Sequence, residues 1–125
     1  MVINMITSTL AQEINHLHAD FCSAIADPIR LLLLYSLAEA PRNVTELTRE
    51  VSLPQPTVSR HLKILRDRGL VIATRQGIMV EYELADHRVI EALDLLRAVL
   101  RDQLHYRSTL MEELNQTHTE QGSSQ

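Results

Sequence analysis

Two helix-period segments separated by only three residues constrain this chain more than any other feature in it. Asn43-x-x-Glu46 carries the spacing of a capping box, and the short helix it opens turns Val44, Leu47 and Val51 inward. Ser52-Leu53-Pro54 breaks that pattern. From Gln55 to Arg68 a second helix places Val58, Leu62 and Leu65 on one face, and Gly69 supplies a left-handed stop. Leu70 to Arg75 and Ile78 to Leu84 are rich in strand-favouring residues, with Gln76-Gly77 between them, so a β-hairpin is expected directly after the second helix.

The flanking segments are helical too. Thr9-x-x-Gln12 can close a capping box, and Leu10, Ile14, Leu17, Phe21 and Ile25 follow at spacings of three and four, which predicts a first amphipathic helix. Asp27-Pro28 pairs a capping residue with a first-turn proline and opens a buried helix from Pro28 to Ala38. Asp86 can cap a last helix striped by Val89, Leu93, Leu96, Leu100, Leu104, Met111 and Leu114. From His87 to Leu114 that helix would reach roughly 40 Å, more than a domain of this size can cover. A second copy of the chain is therefore expected over the excess, with Leu10, Ile14, Leu17, Phe21, Leu93, Leu96, Leu100 and Leu104 at a two-fold interface. Beyond Asn115 the apolar residues give way to Gln, Thr, Ser, Glu and Gly, and a disordered tail is expected.

At 125 residues there is room for one domain. Tryptophan is absent and Phe21, Tyr35, Tyr82 and Tyr106 are the only aromatics, which argues against stacking platforms for single-stranded nucleic acid. The mainly apolar run Leu31 to Ala38 is far short of the roughly 20 residues that span a bilayer, and Met1 to Leu10 lacks the parts of a secretory signal. A cytoplasmic protein with no membrane partner is expected. Cys22, the single cysteine, cannot form an internal disulfide. The net charge of -4 conceals an uneven distribution: between Gln55 and Gly77, Arg60, Lys63, Arg66, Arg68 and Arg75 face Asp67 alone. Polyanion binding depends on the local potential at the contact face, so the overall acidity does not exclude DNA.

Helix, tight turn, helix with a polar and basic outer face, and hairpin with a basic tip together describe a winged helix-turn-helix. The expected fold is mainly α with a small hairpin: three helices, a fourth that reads DNA, the hairpin wing, then a fifth helix. Candidate DNA contacts are Gln55, Thr57, Ser59, Arg60, His61 and Lys63 on the fourth helix, and Arg75 and Gln76 on the wing. Gln55 and Arg60 suit base edges, Thr57 and Ser59 phosphates or bases, and Lys63 and Arg75 phosphates. The run Leu53-Pro-Gln-Pro-Thr-Val-Ser-Arg-His-Leu-Lys-Ile-Leu-Arg-Asp-Arg-Gly-Leu-Val71 resembles the signature of ArsR/SmtB-type winged-helix repressors. The likeness extends back to Ile25-Ala-Asp-Pro-Ile-Arg30 and on through Tyr82-Glu-Leu84. It divides the chain into an extension (1–12), the family domain (13–107) and the end of the last helix with the tail (108–125). The resemblance implies a homodimeric transcriptional repressor that occupies double-stranded operator DNA and is released by an inducer. Pro54 departs from the serine cap that members often carry.

The family's effector sites do not carry over. Soft-metal sensors bear cysteines where this chain has Asn43 and Thr45; zinc sensors follow the aspartate with a histidine where Arg88 stands, and place their second pair where Val99 and Asp102 lie. His18 and Cys22 stand one turn apart and could supply two of the four ligands zinc usually takes; two are too few for a site unless a dimer doubles the pair or His16, His105 or His118 joins it, so a metal ion is the lesser expectation and no cofactor is certain. Cys22 could instead form a redox-switch disulfide with its counterpart in a second subunit, but an inert thiol packed beside Phe21 is the favoured reading. Two other classes remain to be weighed: a protein-interaction module using the same basic face, and an enzyme. The second lacks an oxyanion motif, phosphate loop or cofactor fingerprint beside Cys22.

Overall fold

The computed structural model describes residues 2–123, and the side chains of residues 8–119. In chain order it comprises α1 (Val2–His16), a π-helical segment (Leu17–Cys22), α2 (Ser23–Ile25), α3 (Pro28–Glu39), β1 (Arg42–Asn43), α4 (Val44–Val51), α5 (Gln55–Asp67), β2 (Val71–Gln76), β3 (Met79–Leu84) and α6 (Arg88–Ser123). The three strands form one antiparallel sheet in the order β1-β3-β2. Residues 1–90 make one unit and residues 91–125 a second, the described part of which is helix. No single helix among the described residues is long and apolar enough to cross a membrane.

Local chemistry sets the boundaries around the two central helices. The Asp27 carboxylate accepts the backbone N–H groups of Ile29 (2.8 Å) and Arg30 (3.3 Å), closing the start of α3 behind Pro28. At α4 the capping box is complete: Asn43 Oδ1 accepts from the Glu46 N–H at 2.8 Å, and Glu46 Oε1 accepts from the Asn43 N–H at 3.3 Å. Ser52 ends α4 in the left-handed region, at φ 56° and ψ 44°, with its N–H on the Thr48 carbonyl. No side chain caps α5; the Pro54 carbonyl instead receives the N–H groups of Thr57 and Val58. Its far end closes as a Schellman motif. Gly69, at φ 81°, donates to the Arg66 carbonyl and Leu70 to the Leu65 carbonyl, while Leu65 and Leu70 are both buried.

The core is aliphatic. Leu33, Leu34 and Leu37 of α3, Leu47 of α4, and Val58, Leu62 and Leu65 of α5 are buried together with Leu70, Val71 and Leu84 around the sheet. The inward residues expected for α5, Val58, Leu62 and Leu65, are buried, and His61 is buried with them.

Four features differ from the sequence expectation. The first helix begins by Val2, so Thr9 and Gln12 lie inside it and do not start it, and its later part winds as a π-helical segment. The hairpin turn is Gly77-Ile78, one residue later than expected, because Gln76 pairs with Met79 and the positive φ of Gly77 (65°) places it first in a two-residue turn. β1 is a third strand too short to show a pattern; Arg42 holds it through an ion pair with Glu50 (2.7 Å) and a bond to the Ser36 carbonyl. The segment expected to be a disordered tail continues α6 as far as Ser123, with no glycine or proline before Gly122 to stop it; residues 124 and 125 lie outside the described residues.

Two backbone positions give opposite expectations. Gly69→Ala places a Cβ in open space but in a left-handed conformation, and should lower stability by about 1 kcal/mol. Ser52→Gly relieves that conformation at a cost in unfolded-state entropy, and should raise stability by about 0.5 kcal/mol. Urea midpoints at unchanged m-value measure both.

Candidate nucleic-acid interface

α5 has one buried and one exposed side. Val58, His61, Leu62 and Leu65 are buried; Ser59, Arg60 and Lys63 are exposed away from them, Gln55 is exposed at the start of the helix, and Thr57 is half-buried. Arg60, Lys63 and Arg75 have no ion-pair partner among the described residues. Their charges are thus available to an outside anion. Arg66 and Arg68, by contrast, lie beside Asp67 (3.9 Å) and Asp20 (3.5 Å), and Arg68 joins the end of α5 to the π-helical segment. β2 packs against α5, and Arg75 and Gln76 are exposed near the hairpin tip.

His61 does not belong to the outward set. It is 6% exposed, and its Nδ1 lies 3.1 Å from Arg30 Nη1. A guanidinium can only donate, so Nδ1 accepts and the ring is neutral with its proton on Nε2. Burial lowers the pKa of His61 from its ordinary 6.5; Asp27 opposes that shift, while Arg30 and Arg60 reinforce it. Burial alone would raise the pKa of Asp27, but the N–H groups of Arg30 and Ile29, with the charge of Arg30, bring it below the ordinary value. Arg30 also donates through Nε to the Ala24 carbonyl and through Nη2 to the Ser23 carbonyl (3.3 Å). One guanidinium therefore fastens the end of the first helical segment to α5. His61 was expected among the DNA contacts; the signal that places it inside is phase, since position 61 is three after Val58 and four before Leu65.

The effector positions remain unassembled. His18 is exposed and Cys22 half-buried, and no group of three or more His, Cys, Asp or Glu residues able to hold a metal occurs among the described residues. Asp86 is a helix-start residue: it accepts the Arg88 N–H at 2.9 Å and pairs with the Arg88 guanidinium at 2.7 Å. Those contacts, the guanidinium first, hold its carboxyl down to about 2. Of the eight residues expected at a two-fold interface, Leu10, Ile14, Leu17, Phe21, Leu96, Leu100 and Leu104 are exposed, from 39% to 62%. Leu93 is buried within the single chain.

The model of the bacterial regulatory proteins of the arsR family matches residues 27–73. The HTH-type transcriptional repressor SmtB of Mycobacterium tuberculosis is 41% identical over 78 residues, covering 62% of this chain; the chain spans only 58% of that repressor's length. The HTH-type transcriptional regulator Rv0081 of the same organism is 33% identical over 105 residues, covering 83% of this chain and 92% of the regulator. Its crystal structure superposes with a TM-score of 0.68 at 35% identity, over 75% of this chain and 95% of that one. A solution structure of the homodimeric winged helix-turn-helix DNA-binding domain Mb0332 from Mycobacterium bovis gives 0.65 at 26% identity, over 80% and 89%.

The neutral state of His61 makes stability depend on pH. Its folded pKa lies below its unfolded one, so its contribution is complete above about pH 6.5 and is lost as pH falls from there toward the folded value. Urea unfolding of the wild type should steepen below pH 6.5, by at most about 1.4 kcal/mol per pH unit for this one proton. His61→Asn, which keeps an acceptor for Arg30, should show a shallower slope; equal slopes would refute the assignment.

Proposed function

Because the chain belongs to the arsR family of bacterial regulatory proteins, we propose that it is a homodimeric transcriptional repressor that binds double-stranded operator DNA and is released by an inducer. The observation that carries this reading is the exposed charge of Arg60 and Lys63, which have no ion-pair partner among the described residues, on a helix whose opposite face is buried. Such a helix is held at a fixed angle and can present its N-terminal half to the major groove. Gln55 and Arg60 then read base edges, Thr57 and Ser59 contact phosphates or bases, and Lys63 and Arg75 hold phosphates. Gln76 stands beside Arg75 on the same strand as a further polar contact. A role on the chromosome places the protein in the cytoplasm.

Dimerisation is supported by the exposed leucines of α1 and α6, and by the homodimeric state stated for Mb0332. Two copies of α5 would then address successive grooves of one duplex, which makes the dimer the functional unit.

Fluorescence anisotropy with the promoter fragment upstream of the protein's own gene tests the reading. Specific binding should fall about 10³-fold between about 50 and 200 mM salt through counterion release. Arg60→Ala should relax base preference at one position of each half-site, whereas Lys63→Ala should weaken all duplexes alike and reduce the salt slope by about 1. Leu100→Glu should yield a helical monomer by sedimentation equilibrium, with binding weakened about 10²-fold or more as the second half-site contact is lost. Binding indifferent to salt and sequence would favour a protein-interaction module instead.

A further inference from the structure

Ile78 is 97% exposed, more than any other large hydrophobic side chain among the described residues. It occupies the second central position of a two-residue hairpin turn, where small polar residues or glycine are usual. The position is fixed: Gln76 pairs with Met79 on either side of the turn, and Gly77 at φ 65° turns the chain in open space. A large aliphatic side chain is thus held at the end of a rigid hairpin against both turn chemistry and solvation.

The surroundings of Ile78 narrow what it can meet. Met79 beside it is 46% exposed. No acidic residue occurs from Arg68 to Val80, and Arg75, two pairs from the turn, is exposed and has no ion-pair partner among the described residues. The acidic residues of the hairpin, Glu81 and Glu83, stand farther toward its base, opposite Thr74 and Ile72. The tip therefore combines an aliphatic point with an exposed cation. The DNA minor groove has the complementary chemistry: phosphate walls, and a floor of sugars and base edges that opens to Ile, Met or Leu wedges. Reach is consistent too. Six-residue strands span about 20 Å, and β2 starts four residues after α5 ends, so a hairpin anchored there can pass one phosphate backbone beyond a major groove about 12 Å wide.

We infer that Ile78 is an apolar wedge that enters the minor groove adjoining each operator half-site, unstacking a base step while Arg75 holds the flanking phosphate. This rests on the DNA-binding reading above and adds to it a residue that acts through base-step deformability rather than hydrogen bonding.

The test uses the full chain and a duplex selected by the wild type from a random-sequence pool, with 2-aminopurine substituted in turn at adenines flanking the half-sites. Wild-type binding should raise the fluorescence of at least one flanking position. Ile78→Ser should lower affinity about tenfold, as loss of a buried aliphatic contact implies, and abolish that rise, with the salt slope unchanged. Ile78→Leu should restore both. Arg75→Ala should reduce the slope by about 1. Because Ile78 is exposed, its replacement should not lower the melting temperature. If the wild type enriches a duplex but Ile78→Ser matches it in affinity and fluorescence, the wedge is wrong and the DNA-binding reading stands. If no duplex is enriched, both fall.

Discussion

The outward side of α5 depends on the burial of Val58, His61, Leu62 and Leu65 on its other side. Four adjacent anchoring points within two turns fix both the rotation of the helix and its tilt, so the exposed residues point where the scaffold aims them. The same burial makes the polar member of the four consequential. His61 can be enclosed because Arg30 donates to it, and Arg30 can be half-buried because carbonyls of Ser23 and Ala24 and the ring of His61 accept its protons. Removing either side chain would leave the other short of a partner in a place water reaches poorly.

Charge is distributed on the same plan. Arg42, Arg66, Arg68 and Arg88 are each engaged by a carboxylate, while Arg60, Lys63 and Arg75 have none among the described residues. A protein of net charge -4 can thereby keep a locally cationic surface. Overall acidity says little about its partner.

Capping chemistry made the central helices legible in the sequence. Asp27, Asn43 with Glu46, and Gly69 act where their residue types indicate, and the phase of Val58, Leu62 and Leu65 gave the inward face of α5. Residue type misled at His61, where an imidazole drew attention to DNA contact although its phase on the stripe implied enclosure. Position rather than chemistry decided the matter. The turn moved one residue because either Gln76-Gly77 or Gly77-Ile78 can bracket the glycine, and the pairing of Gln76 with Met79 chose between them. A two-residue strand and a π-helical segment leave no periodic trace. The polar end of the chain read as disordered because apolar content was weighed above helix propensity.

The Arg30 guanidinium has a mechanical consequence. Its bonds join the terminal carbonyls of the first helical segment to the ring on α5 without an intervening loop to absorb motion. Sliding or rolling either helix against the other must stretch or break that linkage, so relative movement of the two is resisted at this point.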